Sequence, residues 1–350
     1  MFLELSNNIT APCLLIAAMV VLILFQGAFF KIDSVVYSEP ELSPGNGDYA
    51  EMKSGGDFII FNNVKYKPDR FFIMAVASNI CAFLLPAVFY VKIKGEGYSK
   101  KLKFALPKPK YIPLVIYMFF ALISGAILIN SLMFYSGGAE ISPESVLPFV
   151  FHTGGNPVYD AGVLISFVLL PALCEEFFFR SVLSAEYEKY GSFCAVIITS
   201  AAFAMSHFSL EFFPSYFFAA IILYILARVT NSVLLAVILH AGYNFYNIYL
   251  WDKLSGVLNF EQNRFIFIFI AAIIFIIFMI FVLNSLESIY YKKGYGNEPS
   301  PEFARNIQNS RIKKSKSKYN SIAVIRLFKS FLSPTFIAAA VIFFIYINYF

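Results

Sequence analysis

The sequence predicts an all-α fold, a polytopic transmembrane bundle of about eight to nine helices. Of the 350 residues, 59% are hydrophobic and 19% are aromatic, whereas only 14% are charged, and the mean hydropathy is +0.69. A soluble domain of this length could not bury so much apolar surface. The apolar residues are grouped in runs of about 20, the length that crosses the hydrocarbon core of a bilayer as a helix. The lipid bilayer is therefore the first predicted partner of the chain.

The charged residues and cysteines exclude several other classes of protein. The formal net charge is +5, and most of the positive charge falls in segments that the positive-inside rule assigns to the cytoplasm, so we expect no nucleic-acid partner. The cysteines lie in apolar segments without paired spacing, which predicts neither a disulfide framework nor a structural zinc site. They are Cys13, Cys81, Cys174 and Cys194.

Residues 1–110 are predicted to form an N-terminal region with two spans, at about 11–30 and 71–91. The loop between them, 31–70, contains seven Asp and Glu against five Lys and Arg. The next loop, 92–110, carries seven lysines against one glutamate. The positive-inside rule places this lysine-rich loop in the cytoplasm and therefore places the acidic loop outside.

The following region, 111–286, contains six further predicted spans. The loop 136–160 within it has no Lys or Arg, which indicates the outer face. The fourth span of the chain continues as a helix through Glu186 to Lys189 and ends at Gly191, a residue typical of helix termini. The six spans cover about 113–135, 161–190, 192–208, 213–228, 231–250 and 265–286.

The C-terminal part of the chain has two predicted segments. A polar segment, 287–330, carries ten Lys and Arg and is predicted to be a basic cytoplasmic linker that either docks on anionic lipid or remains a solvated connector. The segment 331–350 is predicted to be a C-terminal transmembrane span. The composition is typical of a bacterial plasma membrane protein, with an endoplasmic-reticulum membrane as the alternative.

Two adjacent glutamates stand inside the fourth span, where each charge costs about 2.5–3.5 kcal/mol on insertion scales. Glu176 and Arg180 are four residues apart, so on a helix they share a face and form an ion pair. Glu175 points about 100° away and does not share that partner. The spacing therefore separates a braced carboxylate from a free one, and a carboxylate without a cation in an apolar setting suits a general base. The alternative is that both acids lie solvated at the membrane edge.

Two of the three histidines also lie inside predicted spans. Phe203 precedes His207 by one helical turn, and Asn244 follows His240 by one turn. Polar side chains on an apolar helix must face protein or water. These residues could supply the roles that amide hydrolysis needs. Glu175 can deprotonate a water and His207 can hold that water. His240 and Asn244 can donate hydrogen bonds to an oxyanion. The alternative is that each histidine only bonds a neighbouring helix.

The three spacings together resemble the motifs of a known family. Glu175-Glu176-x-x-x-Arg180, Phe203-x-x-x-His207 and His240-x-x-x-Asn244, in that order, are similar to those of the CPBP family. This family comprises the CAAX-protease and bacteriocin-processing membrane endopeptidases related to the type II CAAX prenyl endopeptidase. The resemblance covers about 160–250 closely, and the flanking spans only by hydropathy.

The resemblance implies an α-helical intramembrane protease whose polar residues line a cavity in the bilayer. It implies that Glu175 activates water, that His207 positions the water, and that His240 and Asn244 form the oxyanion hole. Glu176 and Arg180 would support this site. The expected substrate is a membrane-associated, possibly lipidated, peptide or protein, and no cofactor is expected. The motifs do not account for the basic linker and the last span.

Three alternatives to this protease remain open from the sequence. Glu175, His207 and His240 could instead be the ligands of a zinc ion. A non-catalytic member of the same fold could act in bacteriocin immunity or as a scaffold. A secondary transporter would need an inverted repeat, and the sequence shows none.

The predicted span boundaries place Glu175 and His207 at different depths. Glu175 lies about 21 Å along its span from residue 161, and His207 lies about 24 Å along its span from residue 192. Because the two spans run in opposite directions, the side chains meet only if a boundary shifts. We therefore expect an error in the predicted boundaries.

Overall fold

The structure is a computed structural model that describes residues 13–27, 59–61, 64–66, 68–95, 98, 102–137, 149–151, 156–251, 253–254, 263–295 and 325–349. Most of the predicted outer loop 31–70, much of the loop 136–160 and most of the basic linker 287–330 lie outside the described residues.

The described residues are mainly helical, and the elements follow the predicted spans in order. The helices are α1 (Cys13–Gly27), α2 (Arg70–Lys94), α3 (Ile112–Gly137), α4 (Pro157–Tyr190), α5 (Ser192–Met205), α6 (Phe213–Thr230), α7 (Val233–Leu250), α8 (Arg264–Tyr295), α9 (Ile325–Phe331) and α10 (Pro334–Asn348). The predicted helical membrane bundle is confirmed by this architecture.

The predicted count of eight to nine spans is not confirmed. Among the described residues, six helices are long and apolar enough to cross a membrane, namely α2, α3, α4, α6, α7 and α8. Helices α9 and α10 make a seventh if the pair, bent by 56°, is one span. The predicted spans 11–30 and 192–208 correspond to the shorter apolar helices α1 and α5. At 14 residues, α5 is about 21 Å long, which is less than the roughly 30 Å of a bilayer core.

A small antiparallel sheet is an exception to the all-α prediction. Strands β1 (Ile59–Phe61), β2 (Val64–Tyr66) and β3 (Phe149–Phe151) lie in the order β2-β1-β3. Ile59 pairs with Tyr66 on one side and with Phe151 on the other. The sheet thus links the segment that precedes α2 to the segment that precedes α4.

Helix α4 carries the two glutamates near its middle. It begins with an Asn156 side chain that accepts a hydrogen bond of 2.9 Å from the backbone N–H of Val158, a helix N-cap. Two π-helical stretches interrupt it, Leu164–Leu169 and Phe177–Leu183, and the second follows the glutamates directly. The helix ends at Gly191, whose φ of +113° favours glycine, as the sequence predicts.

Two hydrophobic clusters hold the helices together. The first contains residues of α1, α2, α4, α5 and α10, among them Met19, Phe83, Phe178, Phe203 and Phe343. The second joins α3, α6, α7 and α8, among them Met118, Leu226, Leu239 and Val282. Helices α4 and α5 therefore belong mainly to one cluster and α7 to the other, and the predicted site residues lie on all three.

Helix α3 approaches α6 and α8 closely at a glycine. A Cβ atom on Gly125 would lie 2.6 Å from the Phe218 ring and 2.9 Å from the Phe275 ring. Small residues allow such close approach where lipid provides no hydrophobic driving force between helices. The packing of the second cluster therefore depends on the absence of a side chain at this position.

Part of the predicted cytoplasmic loop 92–110 packs against the helix ends. The Ser181 hydroxyl of α4 donates to the Leu102 carbonyl (3.1 Å), and the backbone N–H of Val233 donates to the Lys103 carbonyl (3.0 Å). Lys103 also forms an ion pair with Glu188, and burial lowers the pKa of this lysine although Glu188 opposes the change. The segment fixes the end of α4 relative to the start of α7.

Candidate active site

Counted along the chain, Glu175 and His207 lie at similar distances from the turn between α4 and α5. The two helices are antiparallel neighbours joined at Gly191, and Glu175 precedes this glycine by as many residues as His207 follows it. At 1.5 Å per residue, both positions lie about 24 Å from the turn. The apparent difference in depth is accounted for by the expected error in the predicted boundaries. It arises from measuring Glu175 from residue 161, whereas α4 begins at Pro157 and extends to Tyr190.

Glu176 is fully buried and is held by two partners. Its Oε2 lies 3.0 Å from Nε of Arg180, the ion pair that the spacing of four residues predicts. Its Oε1 lies 2.9 Å from Nδ1 of His240 on α7. This second contact joins two motifs that stand 64 residues apart in the sequence. Glu176 therefore ties α4 to α7 at the depth of the site.

Arg180 lies against aromatic rings as well as against Glu176. Its guanidinium carbon is 4.4 Å from the centre of the Phe203 ring and 5.8 Å from that of Phe179. A cation over an aromatic face is attracted by the negative charge density of the ring. The side chain is buried, and Nη1 and Nη2 have no hydrogen-bond partner within the described structure. Phe203 thus supports Arg180 on one side while it precedes His207 on the same helix.

His207 follows the end of α5 and is held by three groups. Its Nδ1 lies 2.9 Å from the Phe203 carbonyl oxygen, its ring stacks on Tyr216 of α6 with centroids 4.0 Å apart, and it also contacts the Phe203 ring at 4.7 Å. A carbonyl oxygen only accepts hydrogen bonds, so Nδ1 carries the proton. In the neutral ring, Nε2 is then an acceptor.

Glu175 is the unpaired member of the two glutamates. Its Oε2 is buried and has no hydrogen-bond partner among the described residues, and no ion pair to it is present there. The residue is 8% exposed, whereas Glu176 is 0% exposed, so only Glu175 is open to a small molecule such as water. Arg180 and His240 are close enough to interact with its charge. The structure therefore has the braced and free carboxylates that the spacing predicts.

Asn244 lies one turn beyond His240 on α7 and is partly exposed. Within the described part of the chain, no hydrogen bond or ring contact joins it to Glu175 or His207. The shared helix alone places it near His240. Gly242, between the two, lets the Phe119 ring of α3 approach to 3.3 Å of where a Cβ atom would stand.

Sequence reasoning missed two features of this site. Tyr216 was not singled out because an aromatic residue in an apolar span looks like core packing. The Glu176–His240 contact was not expected because the spacing of residues on one helix carries no information about a contact between distant helices. The sequence indicates this contact only indirectly, because Glu176 and His240 are polar residues within apolar spans and such residues tend to bond across helices.

The zinc alternative stays a prediction. Among them, no group of three or more His, Cys, Asp and Glu side chains is arranged to hold a metal ion. Nδ1 of His240 is bound to Glu176, and Nδ1 of His207 is bound to a carbonyl oxygen. These contacts involve Nδ1 and not Nε2 of each ring, so they do not decide whether Glu175, His207 and His240 bind zinc.

Comparison with known families places the site within a matched segment. Residues 157–246, from the start of α4 into α7, match a family described as type II CAAX prenyl endopeptidase Rce1-like. The segment contains all three motifs. No curated protein and no solved structure matches the chain.

Proposed function

We propose that this chain, whose residues 157–246 carry the type II CAAX prenyl endopeptidase Rce1-like match, is an intramembrane endopeptidase. It would hydrolyse a peptide bond of a membrane-associated protein or peptide. The observation that carries the proposal is the pair of adjacent glutamates. Glu176 contacts Arg180 and His240, whereas Glu175 is buried and forms no ion pair among the described residues. The family match supports a CAAX-type intramembrane protease, and the mechanism below goes beyond it.

The attacking water is held between Glu175 and His207. Because Nδ1 of His207 donates to the Phe203 carbonyl, Nε2 accepts one hydrogen bond from the water. Glu175 accepts the other proton, and the water oxygen then forms a bond to the substrate carbonyl carbon. The stacked ring of Tyr216 keeps the imidazole plane fixed while this happens.

The developing oxyanion is stabilised from α7. Nδ1 of His240 donates to the Glu176 carboxylate, so Nε2 donates to the oxyanion only when the ring carries both protons. Glu176 balances the charge of that imidazolium, and the Asn244 amide is the second donor. Glu175 then passes its proton to the leaving nitrogen, the C–N bond breaks, and the site returns to its starting protonation.

The wider organisation follows from the same proposal. We place the protease core at 111–286, after an N-terminal region at 1–110 and before a basic linker at 287–330 and a C-terminal span at 331–350. The basic segments face the cytoplasm of a bacterial plasma membrane. A lipidated substrate fits a site within the bilayer, because its anchor and its scissile bond both lie near the membrane.

The proposal is tested by cleavage of a library of membrane-anchored reporter peptides, with purified protein in nanodiscs. The comparison is wild type against Glu175→Gln, each with and without a zinc chelator. We expect the substitution to lower kcat by about 10²- to 10⁴-fold, the range for a general base. We expect the chelator to have no effect.

Two results would contradict the proposal. Activity that disappears with chelator and returns with zinc would make Glu175, His207 and His240 metal ligands. Equal inactivity of both folded proteins on the whole library would favour a non-catalytic role, such as bacteriocin immunity or scaffolding.

A further inference from the structure

Phe208, the residue after His207, has an unusual backbone conformation. Its φ is +50°, a left-handed conformation that bulky side chains rarely adopt and that costs free energy. Helix α5 ends three residues earlier, at Met205. The His207 N–H reaches the Ala204 carbonyl at 3.3 Å, and the Phe208 N–H reaches the Met205 carbonyl at 3.2 Å. The backbone of His207 therefore lies in a short turn held by long hydrogen bonds.

The side chain of Phe208 is held by the C-terminal helix. Its ring is buried and lies 4.5 Å from the ring of Tyr346 on α10. The Tyr346 hydroxyl donates to Oε1 of Gln26 on α1 at 2.7 Å. Phe343, three residues before Tyr346, is buried and contacts the Phe213 ring at the start of α6. Tyr346 is therefore fixed both by its hydroxyl group and by the packing of its helix.

We propose that Tyr346 is a positioning residue for the site, acting through Phe208 on His207. A strained turn persists only where its surroundings determine it, and the contact with Tyr346 comes from outside the hairpin of α4 and α5. Releasing the Phe208 ring lets the turn relax, which displaces the adjacent imidazole from the Phe203 carbonyl and from Tyr216. The family motifs leave the last span without a role, and this contact assigns one to it. The inference rests on the proposed role of His207.

Three substitutions on α10 test this role by enzyme kinetics. Tyr346→Ala removes the ring and the hydroxyl, Tyr346→Phe removes only the hydroxyl, and Phe344→Ala truncates an exposed aromatic residue of the same helix. We expect Tyr346→Ala to lower kcat by about 10- to 100-fold with KM unchanged, since small displacements of a catalytic group have effects of this size. Tyr346→Phe should retain most of the activity, and Phe344→Ala should match wild type.

A measurement that does not depend on activity separates this inference from the proposed function. The chain has only three histidines, so the imidazole NMR signals of histidine-labelled protein can be assigned by single His→Gln substitutions. We expect Tyr346→Ala to shift or broaden the His207 signal and to leave the His240 signal in place. This result supports the role of Tyr346 even if no reporter peptide is cleaved.

The inference is overturned if folded Tyr346→Ala keeps the wild-type His207 signal. It is also overturned if Phe344→Ala lowers kcat as much as Tyr346→Ala, because the effect would then report only damage to α10. Phe208→Gly provides a further check, since glycine adopts the same backbone without strain. In that background Tyr346→Ala should have no additional effect on kcat, and an additive loss would contradict the route through Phe208.

Discussion

Two faces of helix α4, carried by the adjacent residues Glu175 and Glu176, differ in their ion pairs. Glu176 faces Arg180 and His240 and is completely buried, so its charge is used within the protein. Glu175 forms no ion pair with either residue in the described structure, and Oε2 of each glutamate lacks a hydrogen-bond partner there. A buried charge that is paired contributes to the architecture, whereas one that is unpaired is available for proton transfer. In the proposed mechanism, adjacent positions on one helix therefore carry a structural carboxylate and a catalytic one.

The largest expected effect on stability is at Glu176. The change Glu176→Gln removes the carboxylate that balances Arg180 and leaves a buried cation, which we expect to cost on the order of 3 kcal/mol in the free energy of unfolding. The neighbouring change Glu175→Gln has the same chemistry and removes no partner, so it should leave stability unchanged. Comparing Glu176→Gln with Glu175→Gln therefore tests whether the two carboxylates differ in their contribution to stability.

Unfolding of these variants can be followed by the reaction of free thiols with a fluorescent maleimide. Cys174 and Cys194 are buried free thiols that we expect to react only on unfolding, whereas the exposed Cys13 and the half-buried Cys81 contribute a background. We expect a lower midpoint temperature for Glu176→Gln only. If Glu175→Gln were destabilised as much, both carboxylates would be structural and the comparison would fail.

A second prediction concerns the role of Asn244 on helix α7 in the proposed oxyanion hole. We expect Asn244→Ala to lower kcat by about 10²-fold, the effect of removing one oxyanion donor, with little change in stability. Asn247→Ala, one turn further along the chain, is the control and should stay within a few-fold of wild type. The measurement is reporter cleavage at saturating substrate. Equal activities of the two variants would remove Asn244 from the oxyanion hole.

Sequence reasoning succeeded where the information is local. The period of a helix separates Glu175 from Glu176 and pairs Glu176 with Arg180, and an apolar run predicts a helix wherever it is long enough. The end of α4 at Gly191 is equally local. These features distinguish the two carboxylates before any contact between helices is known.

The remaining features depend on contacts that no local pattern encodes. His240 meets Glu176 only through the packing of α7 on α4, and Tyr216 reaches His207 only through α6. The strands of the small sheet have three residues each, which is too short for an alternating pattern to identify. The predicted span count is not confirmed, because hydropathy finds apolar runs such as α5 but does not show where the helix stops.

The smallest expected effect on stability is that of replacing Arg180, the ion-pair partner of Glu176. Arg180→Lys keeps a positive charge near Glu176 but loses the planar group that lies over the Phe203 ring, so we expect a loss of about 1–2 kcal/mol in stability. Arg228→Lys is the matched control. Its side chain is 42% exposed and its contact with Glu188 is 3.5 Å, so the same change there should cost less than about 0.5 kcal/mol.

Thermal unfolding of the two lysine variants, followed by the same thiol reaction, distinguishes charge from shape on the paired face. If Arg180→Lys is as stable as wild type, the charge alone holds Glu176 and the contact with Phe203 contributes nothing measurable. If Arg180→Lys is destabilised and Arg228→Lys is not, the contact with the Phe203 ring also stabilises the position of the Arg180 guanidinium. Phe203 would then couple the paired face of α4 to the reactive one, because the same residue holds Nδ1 of His207 through its carbonyl oxygen.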